Sequence, residues 1–193
     1  MNEPDERLPD VFRLLNGVGM APPSRPRAQR PRPAASPSAD STLGLEIRPF
    51  QPSDTEQVVS LWKRSDLVRP TNDPHRDIRR KRLVRPDLFL VGLQNGAIVG
   101  SVMAGYEGHR GWLNYVAVEP ALRHRGLGRA LVVEAERRLR LAGCPKINLQ
   151  VRSSNAGVLE FYRRLGYTVD DVVSLGKRLE VDVPAATGRN EVQ

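Results

Sequence analysis

The most informative segment of this chain is Arg123-His124-Arg125-Gly126-Leu127-Gly128-Arg129-Ala130. It joins an apolar, strand-like segment to an amphipathic helical one through two glycines that arginines flank. Glycine lets the backbone approach an oxyanion closely, and the first N–H groups of the following helix supply positive potential. The guanidinium groups of Arg123, Arg125 and Arg129 add fixed positive charge. The pattern therefore predicts a phosphate-binding loop.

Spacing separates three kinds of phosphate loop. A nucleotide-hydrolase P-loop requires four residues between its glycines and then Lys-Ser or Lys-Thr, and neither is present. The dinucleotide fingerprint begins well with Gly126-Leu127-Gly128, but Leu131 occupies its third small position and no strand–helix repeat surrounds it. The third kind is Arg-x-x-Gly-x-Gly, which starts at Arg123. For the motif alone, an arginine-rich turn into a helix stays open as an alternative, so the surrounding sequence has to decide.

Composition permits a one-domain soluble enzyme. The chain has 193 residues and a net charge of +8, and a domain usually takes ~100 to 200 residues. No apolar run approaches the ~18 residues of a membrane span. The lone Cys144 cannot form an internal disulfide and has no evident activating base, so we expect a cytoplasmic protein without a catalytic thiol. His75, His109 and His124 lack ligand spacing, and no metal site is predicted.

The composition changes near residue 44. Residues 1–44 hold 8 of the 16 prolines, and residues 21–39 carry four arginines and no acidic residue. Such a Pro/Arg/Ala/Ser-rich segment is predicted to be disordered, and the acidic residues among its first ten argue against a transit peptide. We therefore expect a disordered extension over 1–44, a folded domain over 45–182 and a flexible tail over 183–193.

The positive charge suits an anionic ligand, either nucleic acid or a small phosphorylated cofactor. Residues 76–85, on a predicted helix, carry six basic side chains and one acidic one. This run is either an electrostatic footprint for nucleic acid or a solvated helix face. Aromatic residues are only 5% of the chain and do not alternate with the basic run as base-stacking platforms would. Nucleic acid is therefore the less favoured partner.

Hydrophobic periodicity and turn signals predict a mixed order of strands and helices before the glycine loop. The box Ser53-Asp54-Thr55-Glu56 is typical of a helix start, and Asn95-Gly96 is typical of a hairpin turn. The predicted strands cover 45–48, 88–92, 97–106 and 112–118, and the predicted helices cover 53–65 and about 75–84.

After the loop, apolar residues recur at helical spacing up to Ala142, and Gly143 suits the C-cap. Residues 147–151 alternate as a strand, and Asn155 can cap a helix that Gly166 ends. Closing strands are predicted over 167–169 and 173–179. Together these elements predict a strand-rich α/β domain with mixed strand pairing.

This order, with the loop after the fourth predicted strand, resembles the GNAT family of acyl-CoA N-acetyltransferases over residues 46–181. Arg123, Gly126 and Gly128 occupy the defining places of its pyrophosphate loop. A second family signature, Phe161-Tyr162-Arg163-Arg164-Leu165-Gly166-Tyr167, follows the fifth predicted strand. The resemblance implies a central mixed, mostly antiparallel sheet that about four helices flank. Residues 67–74, 106–111 and 174–179 look more narrowly like the bacterial YpeA-like subgroup.

The resemblance implies acetyl-CoA as co-substrate and direct transfer of its acetyl group to an amine of a small molecule or a protein. The pantetheine arm would lie where the fourth and fifth predicted strands diverge, because its two amides suit an unpaired strand edge. Asn155 would contact this arm, although helix capping alone explains an asparagine there. The implied cofactor-binding set is completed by Tyr162 together with Val116, Ala117, Val118, Arg123, Arg125, Gly126, Leu127, Gly128 and Arg129.

The resemblance also implies catalytic roles. Tyr162 would protonate the departing thiolate as general acid, with a core aromatic as the alternative. Glu107 is the predicted general base, because it lies at the end of the third predicted strand beside the expected acceptor cleft. Glu119, which follows the fourth predicted strand, is the other candidate. Either residue could instead be a solvated turn carboxylate. Asn72 and Asp73 would line the acceptor pocket or only shape an Asn-Asp-Pro turn. A degenerate, non-catalytic domain that binds CoA stays open, as does a homodimer.

Overall fold

The structure is a computed structural model that describes residues 38–40 and 44–180. Its centre is a six-stranded sheet with the strand order β1-β2-β3-β4-β5-β6, antiparallel throughout except for the parallel pair β5 and β6. The strands are β1 Ser38–Asp40, β2 Leu45–Pro49, β3 Phe89–Gln94, β4 Ala97–Tyr106, β5 Gly111–Val118 and β6 Ile147–Leu149. The helices are α1 Thr55–Arg64, α2 Pro74–Leu83, α3 Leu127–Leu141 and α4 Ala156–Arg164. The predicted mixed, mostly antiparallel sheet with four helices is confirmed.

The ends of the chain lie largely outside the described residues. The predicted tail over 183–193 does so entirely, and so does most of the extension predicted over 1–44. Within that extension, however, Ser38–Asp40 forms β1 and pairs antiparallel with β2. The sheet therefore begins before residue 45, and the fourth predicted strand is β5 in the structure.

Two apolar clusters sandwich the sheet, as the alternation of side chains along each strand requires. Leu90 of β3 packs on one face with Leu131 of α3 and Tyr162 of α4. Val91, its neighbour in β3, packs on the opposite face with Trp62 of α1. Helices α3 and α4 thus cover one face and α1 and α2 the other, so the loop at the start of α3 and the helix α2 lie on opposite faces of the sheet.

The predicted hairpin turn is confirmed, because Asn95 and Gly96 have φ values of 50° and 78° between the paired residues Gln94 and Ala97. These left-handed residues give the two-residue turn that Asn-Gly favours. Gly143 ends α3 as predicted: it has a φ of 84°, and the N–H of Cys144 donates to the carbonyl of Leu139.

The predicted capping box over residues 53–56 is wrong. Pro52–Asp54 forms a short 3-10 helix, and the buried Asp54 carboxylate accepts from the Gln51 N–H (2.7 Å) and pairs with Arg48 (2.7 Å). Burial favours a raised pKa, but the hydrogen bonds from Arg48 and Gln51 outweigh it and hold the pKa of Asp54 below its usual value. The cap therefore forms earlier, between Gln51 and Asp54, and an ion pair from β2 holds the capping carboxylate.

The two predicted closing strands do not form, although the structure describes their residues, and β6 stops at Leu149. Residues 167–179 form no backbone ladder, and side-chain hydrogen bonds hold the segment instead. Asp170 pairs with Lys146 (2.6 Å), and the Ser174 side chain contacts that of Gln150. Val169, Val173 and Leu175 remain exposed. The alternation in this segment was therefore insufficient to predict pairing, since a strand also needs a partner edge that its side chains can cover.

Candidate functional site

Strands β5 and β6 touch at one end and separate at the other. Their parallel pairing joins Gly111 to Ile147, Trp112 to Asn148 and Leu113 to Leu149, and then stops. Strand β5 continues to Val118, so its edge from residue 114 onward has no strand beside it on that side among the described residues. This is the divergence that the resemblance implied, and it leaves backbone N–H and C=O groups available to a ligand.

The direction of the Val118 N–H follows from the hydrogen bonds that β5 makes with β4 on its other edge. The N–H of Glu119, directly after the strand, donates to the carbonyl of Val99 (2.8 Å), which precedes Gly100 in β4. Because successive N–H groups along a strand point to opposite edges, the N–H of Val118 points away from β4 and towards the gap. Val118 therefore presents a hydrogen-bond donor where β6 is missing.

A β-bulge interrupts β5 just before this point. Ser101 lies opposite Ala117, but Met103 lies opposite Asn114, so β5 carries an extra residue. Tyr115 has a φ of 48°, a left-handed conformation that is uncommon for a tyrosine. Its ring stacks on Trp62 with 4.0 Å between centroids. No local sequence pattern predicts this bulge, because its supporting residues lie on other elements.

The phosphate loop leads from β5 to α3 as predicted. After a 3-10 turn over Pro120–Leu122, the backbone turns left-handed at His124 (φ 61°) and Gly126 (φ 86°), and α3 begins at Leu127. A Cβ on Gly128 would lie 3.4 Å from the Phe161 ring and 3.5 Å from the Val118 side chain. The first N–H groups of α3, which have no partner inside the helix, thus lie beside the end of β5 and the start of the gap.

The three arginines of this loop are exposed. Among the described residues, none of the guanidinium groups of Arg123, Arg125 and Arg129 has a carboxylate partner. The nearest acidic residue in the sequence, Glu119, pairs with Arg64 instead (2.7 Å). Unneutralised guanidinium groups at the positive end of a helix suit a phosphorylated ligand.

Tyr162 lies on the buried face of α4 and is only 7% exposed. Its ring meets Phe161 and Tyr167 edge to face, with centroids 5.0 and 5.4 Å apart. Its hydroxyl has no hydrogen-bond partner among the described residues, and the oxygen remains accessible to solvent. Burial raises the pKa of Tyr162 to about 12, so the phenol keeps its proton at neutral pH. Both interpretations of this residue are compatible with its position, since a core aromatic can also present a hydroxyl.

Asn155 caps α4, because its side-chain oxygen accepts from the N–H of Val158 at 3.3 Å. The capping role is therefore real. The amide nitrogen of the same exposed side chain has no partner among the described residues, which leaves a donor for a ligand.

The structure does not bring Glu107 to the other site residues. Its carboxylate accepts from the N–H groups of His109 (2.6 Å) and Arg110 (3.0 Å) in the turn between β4 and β5. These two hydrogen bonds lower the pKa of Glu107. The turn lies at the paired end of β5, and the five steps along the strand from Gly111 to Val116 span about 16 Å at ~3.3 Å per residue. Glu107 is thus a turn residue, the alternative that the sequence left open.

The side chains of Asn72 and Asp73 have different surroundings. The Asp73 carboxylate caps α2 by accepting from the N–H groups of His75 (2.9 Å) and Arg76 (3.3 Å). Asn72 instead lines a hollow of about 470 Å³ with residues from α2 and from the segment after α4. The other lining residues are Asp77, Arg80, Arg178, Leu179 and Glu180.

The geometry agrees with three comparisons. Residues 55–167 match the model of the Acetyltransferase (GNAT) family. Acetyltransferases of Yersinia enterocolitica and Pectobacterium atrosepticum are each 51% identical to this chain over 138 residues, which are 72% of this chain and 98% of each relative. The PaiA N-acetyltransferase of Thermoplasma acidophilum, solved with coenzyme A, has the same fold with a TM-score of 0.54 and 19% identity, over 67% of this chain and 92% of that one.

No helix among residues 44–180 combines the length and apolar character needed to cross a bilayer. The matched family model covers more than half of the chain, and it includes the gap edge of β5, the glycine loop and the Tyr162 helix. The chain therefore belongs to the GNAT family of acetyltransferases.

Proposed function

We propose that this acetyl-CoA-dependent N-acetyltransferase holds its donor along the unpaired edge of β5, with the pyrophosphate on the loop of residues 123–129. The observation that carries the proposal is the continuity of two features. The open edge of β5 runs directly into a left-handed glycine turn and the start of α3. A ligand with amides in its middle and phosphates at its end matches that sequence of groups.

The residues present fit such a donor. The two amides of a pantetheine arm can pair with backbone groups of Val116 and Val118 as a neighbouring strand would. The pyrophosphate can accept from the first N–H groups of α3 while Arg123, Arg125 and Arg129 supply charge. The side-chain amide of Asn155, at the start of α4, can add one more donor.

The transfer proceeds by direct attack in a ternary complex. The neutral amine attacks the thioester carbonyl, a C–N bond forms, the C–S bond breaks, and the nitrogen releases its surplus proton to water to give the amide. The N–H of Val118 stabilises the negative charge that develops on the carbonyl oxygen. Tyr162 donates its phenolic proton to the sulfur as the C–S bond breaks, and the phenolate regains a proton from solvent.

The amine must lose a proton before it attacks. Glu107 is a poor candidate for this step because its carboxylate is held by two backbone N–H groups and its pKa is lowered. Glu119 is paired with Arg64. We therefore propose that water accepts the proton that the amine loses before it attacks. The acceptor would enter from the α2 side, where Asn72 lines the hollow described above.

Nucleic acid is not favoured as the partner. In the basic run of residues 76–85, Arg80 pairs with Asp77 and Glu180, and Arg85 pairs with Asp87. The ammonium group of Lys81 contacts the carbonyl of Val84. These partners reduce the positive charge that a phosphate backbone would meet.

The experiment compares thermal shifts with acetyl-CoA and with a short DNA duplex at two salt concentrations, followed by detection of free thiol. We expect stabilisation by acetyl-CoA and thiol release with amino acids, polyamines, aminoglycosides or peptide N-termini. Stabilisation by the duplex alone, lost at high salt, would contradict the assignment. Binding of acetyl-CoA without thiol release from any amine would instead indicate a non-catalytic CoA-binding domain.

A further inference from the structure

A chain of polar contacts ties the bulge of β5 to both helices on the α1 and α2 face. The indole N–H of Trp62 in α1 donates to the Ser101 hydroxyl in β4 (2.8 Å), and that hydroxyl donates to the carbonyl of Tyr115 (3.1 Å). The Tyr115 hydroxyl in turn donates to the Asp77 carboxylate in α2 (2.6 Å). Trp62 and Ser101 are completely buried, so the hydrogen bond between them acts in a low dielectric where it is strong.

These contacts support a backbone conformation that a tyrosine rarely adopts. A left-handed residue in a bulge is usually glycine, because a Cβ is disfavoured there. At Tyr115 the carbonyl, the ring and the hydroxyl are each held, by Ser101, Trp62 and Asp77 respectively. Strained residues that the surroundings hold in this way concentrate at functional sites.

The bulge decides which groups of β5 face the gap. One extra residue shifts the alternation of the strand, so every side chain and N–H after it changes sides. With the bulge in place, Ala117 packs in the cluster of α1 and α2, while the Val118 side chain lies near Gly128 at the start of α3. The N–H of Val118 consequently faces the gap.

We propose that Tyr115 is a positioning residue, which holds the bulge through Asp77 and Ser101 so that the N–H of Val118 polarises the thioester carbonyl. This inference rests on the proposed function. It also connects the two substrates, because Asp77 lines the hollow on the acceptor side while its partner Tyr115 lies in the donor strand. A change in α2 would then reach the donor carbonyl through one hydrogen bond.

The test uses the full chain with acetyl-CoA that carries ¹³C at its carbonyl, so that no acceptor is required. Isotope-edited infrared spectroscopy measures the carbonyl band, which moves to lower frequency when a hydrogen-bond donor polarises it. We expect a lowered band in the wild type and loss of most of that shift in Tyr115→Phe. Titration calorimetry should show a dissociation constant for acetyl-CoA within about threefold of the wild type, since the pyrophosphate contacts dominate binding.

Tyr106→Phe is the matched control. Its hydroxyl also donates to backbone carbonyls, those of Gly108 (3.0 Å) and Gly143 (3.2 Å), but at the paired end of the sheet. This variant should keep the full band shift. Asp77→Asn retains an acceptor for the Tyr115 hydroxyl and should keep most of the shift, whereas Asp77→Leu should lose it.

Each outcome separates the inference from the function on which it rests. A full band shift in both Tyr115→Phe and Asp77→Leu would overturn the positioning role, and so would an equal loss in Tyr106→Phe. If the wild type binds acetyl-CoA without any band shift, Val118 does not polarise the carbonyl and the inference is wrong. If acetyl-CoA does not bind at all, the proposed function itself fails.

Discussion

The loop of residues 123–129 and the basic run of residues 76–85 are both rich in arginine, but the loop leads into the start of α3, whereas the run extends along α2 and past its end. The loop arginines lie at the start of α3, where unpaired N–H groups make the potential positive. Arg80, Lys81 and Arg82 lie in the last turn of α2, where cations neutralise the negative end of the helix. The same residue type therefore has different surroundings in the two regions: the loop position suits the proposed anionic donor, and the last-turn cations of α2 stabilise their own helix.

Acidic neighbours increase the contrast. Glu180 lies 3.2 Å from Arg80 and 3.8 Å from Arg76, and Asp87 lies 2.8 Å from Arg85. No described carboxylate pairs with the guanidinium groups of the loop. A count of charges is thus a poor guide to a binding site, whereas the direction of the adjacent helix and the partners of each charge are informative.

The largest expected effect is on turnover, and it tests the donor site to which the loop of residues 123–129 is assigned. Tyr162→Phe removes the proposed proton donor while keeping the ring that packs against Phe161 and Tyr167. We expect turnover to fall by ~10² to 10⁴, the range for a lost acid or base, with acetyl-CoA affinity nearly unchanged. Steady-state kinetics with calorimetry measures both. Tyr167→Phe, which loses a hydrogen bond to Glu136 in the same aromatic cluster, is the control; equal turnover losses in the two variants would reassign Tyr162 to packing.

The next effect is on donor binding. Gly126→Val places a branched side chain at a φ of 86° in the loop where the pyrophosphate approaches. We expect acetyl-CoA affinity to fall at least a hundredfold, together with a stability loss of roughly 1–2 kcal/mol from the left-handed backbone. Calorimetry and thermal unfolding separate the two effects.

Gly143 provides a matched control at the other end of α3. It has a φ of 84°, and a Cβ there would have no atom within 4 Å outside its neighbours. Gly143→Val should therefore lose similar stability and keep its affinity. Unchanged acetyl-CoA binding in Gly126→Val would remove the loop from the donor site.

A smaller effect compares the two basic regions directly. Replacing Arg123, Arg125 or Arg129 singly with glutamine should weaken acetyl-CoA binding by roughly tenfold, as expected for loss of a charge-assisted hydrogen bond. Arg79→Gln and Arg82→Gln on α2, which also expose their side chains, should change it less than twofold. Because exposed charges are screened, the loop variants should also lose part of the salt dependence of binding. Equal losses in both regions would mean that net charge alone attracts the donor.

Features that a short stretch of chain determines could be predicted from the sequence. The glycine loop, the Asn95-Gly96 hairpin and the Asn155 cap each depend on residues a few positions apart, and the structure contains all three. The bulge at Tyr115 could not be predicted, because the residues that hold it lie 14 to 53 positions away on other elements. Glu107 shows the reverse case, in which a local turn uses a carboxylate that sequence position suggested for catalysis.

The smallest effect tests whether the basic run is structural, and it comes from pH. Burial of the Lys81 side chain lowers its pKa to about 8, below the ordinary value of 10.5. Between these two values the unfolded chain binds a proton that the folded chain does not, so this residue makes stability rise with pH over that window. Below pH 8 both states carry the proton, and the full cost of burying the charge is present.

Lys81→Met should remove this dependence while keeping the aliphatic contacts. We expect the melting temperature of the variant to exceed that of the wild type by a few degrees at pH 7, and the difference to shrink steadily towards pH 10. Thermal unfolding at intervals of one pH unit, with Arg82→Met as the exposed control, measures it. A constant difference across the range would mean that Lys81 keeps its charge in solvent, and the basic run of α2 would then regain one unpaired cation for an anionic partner.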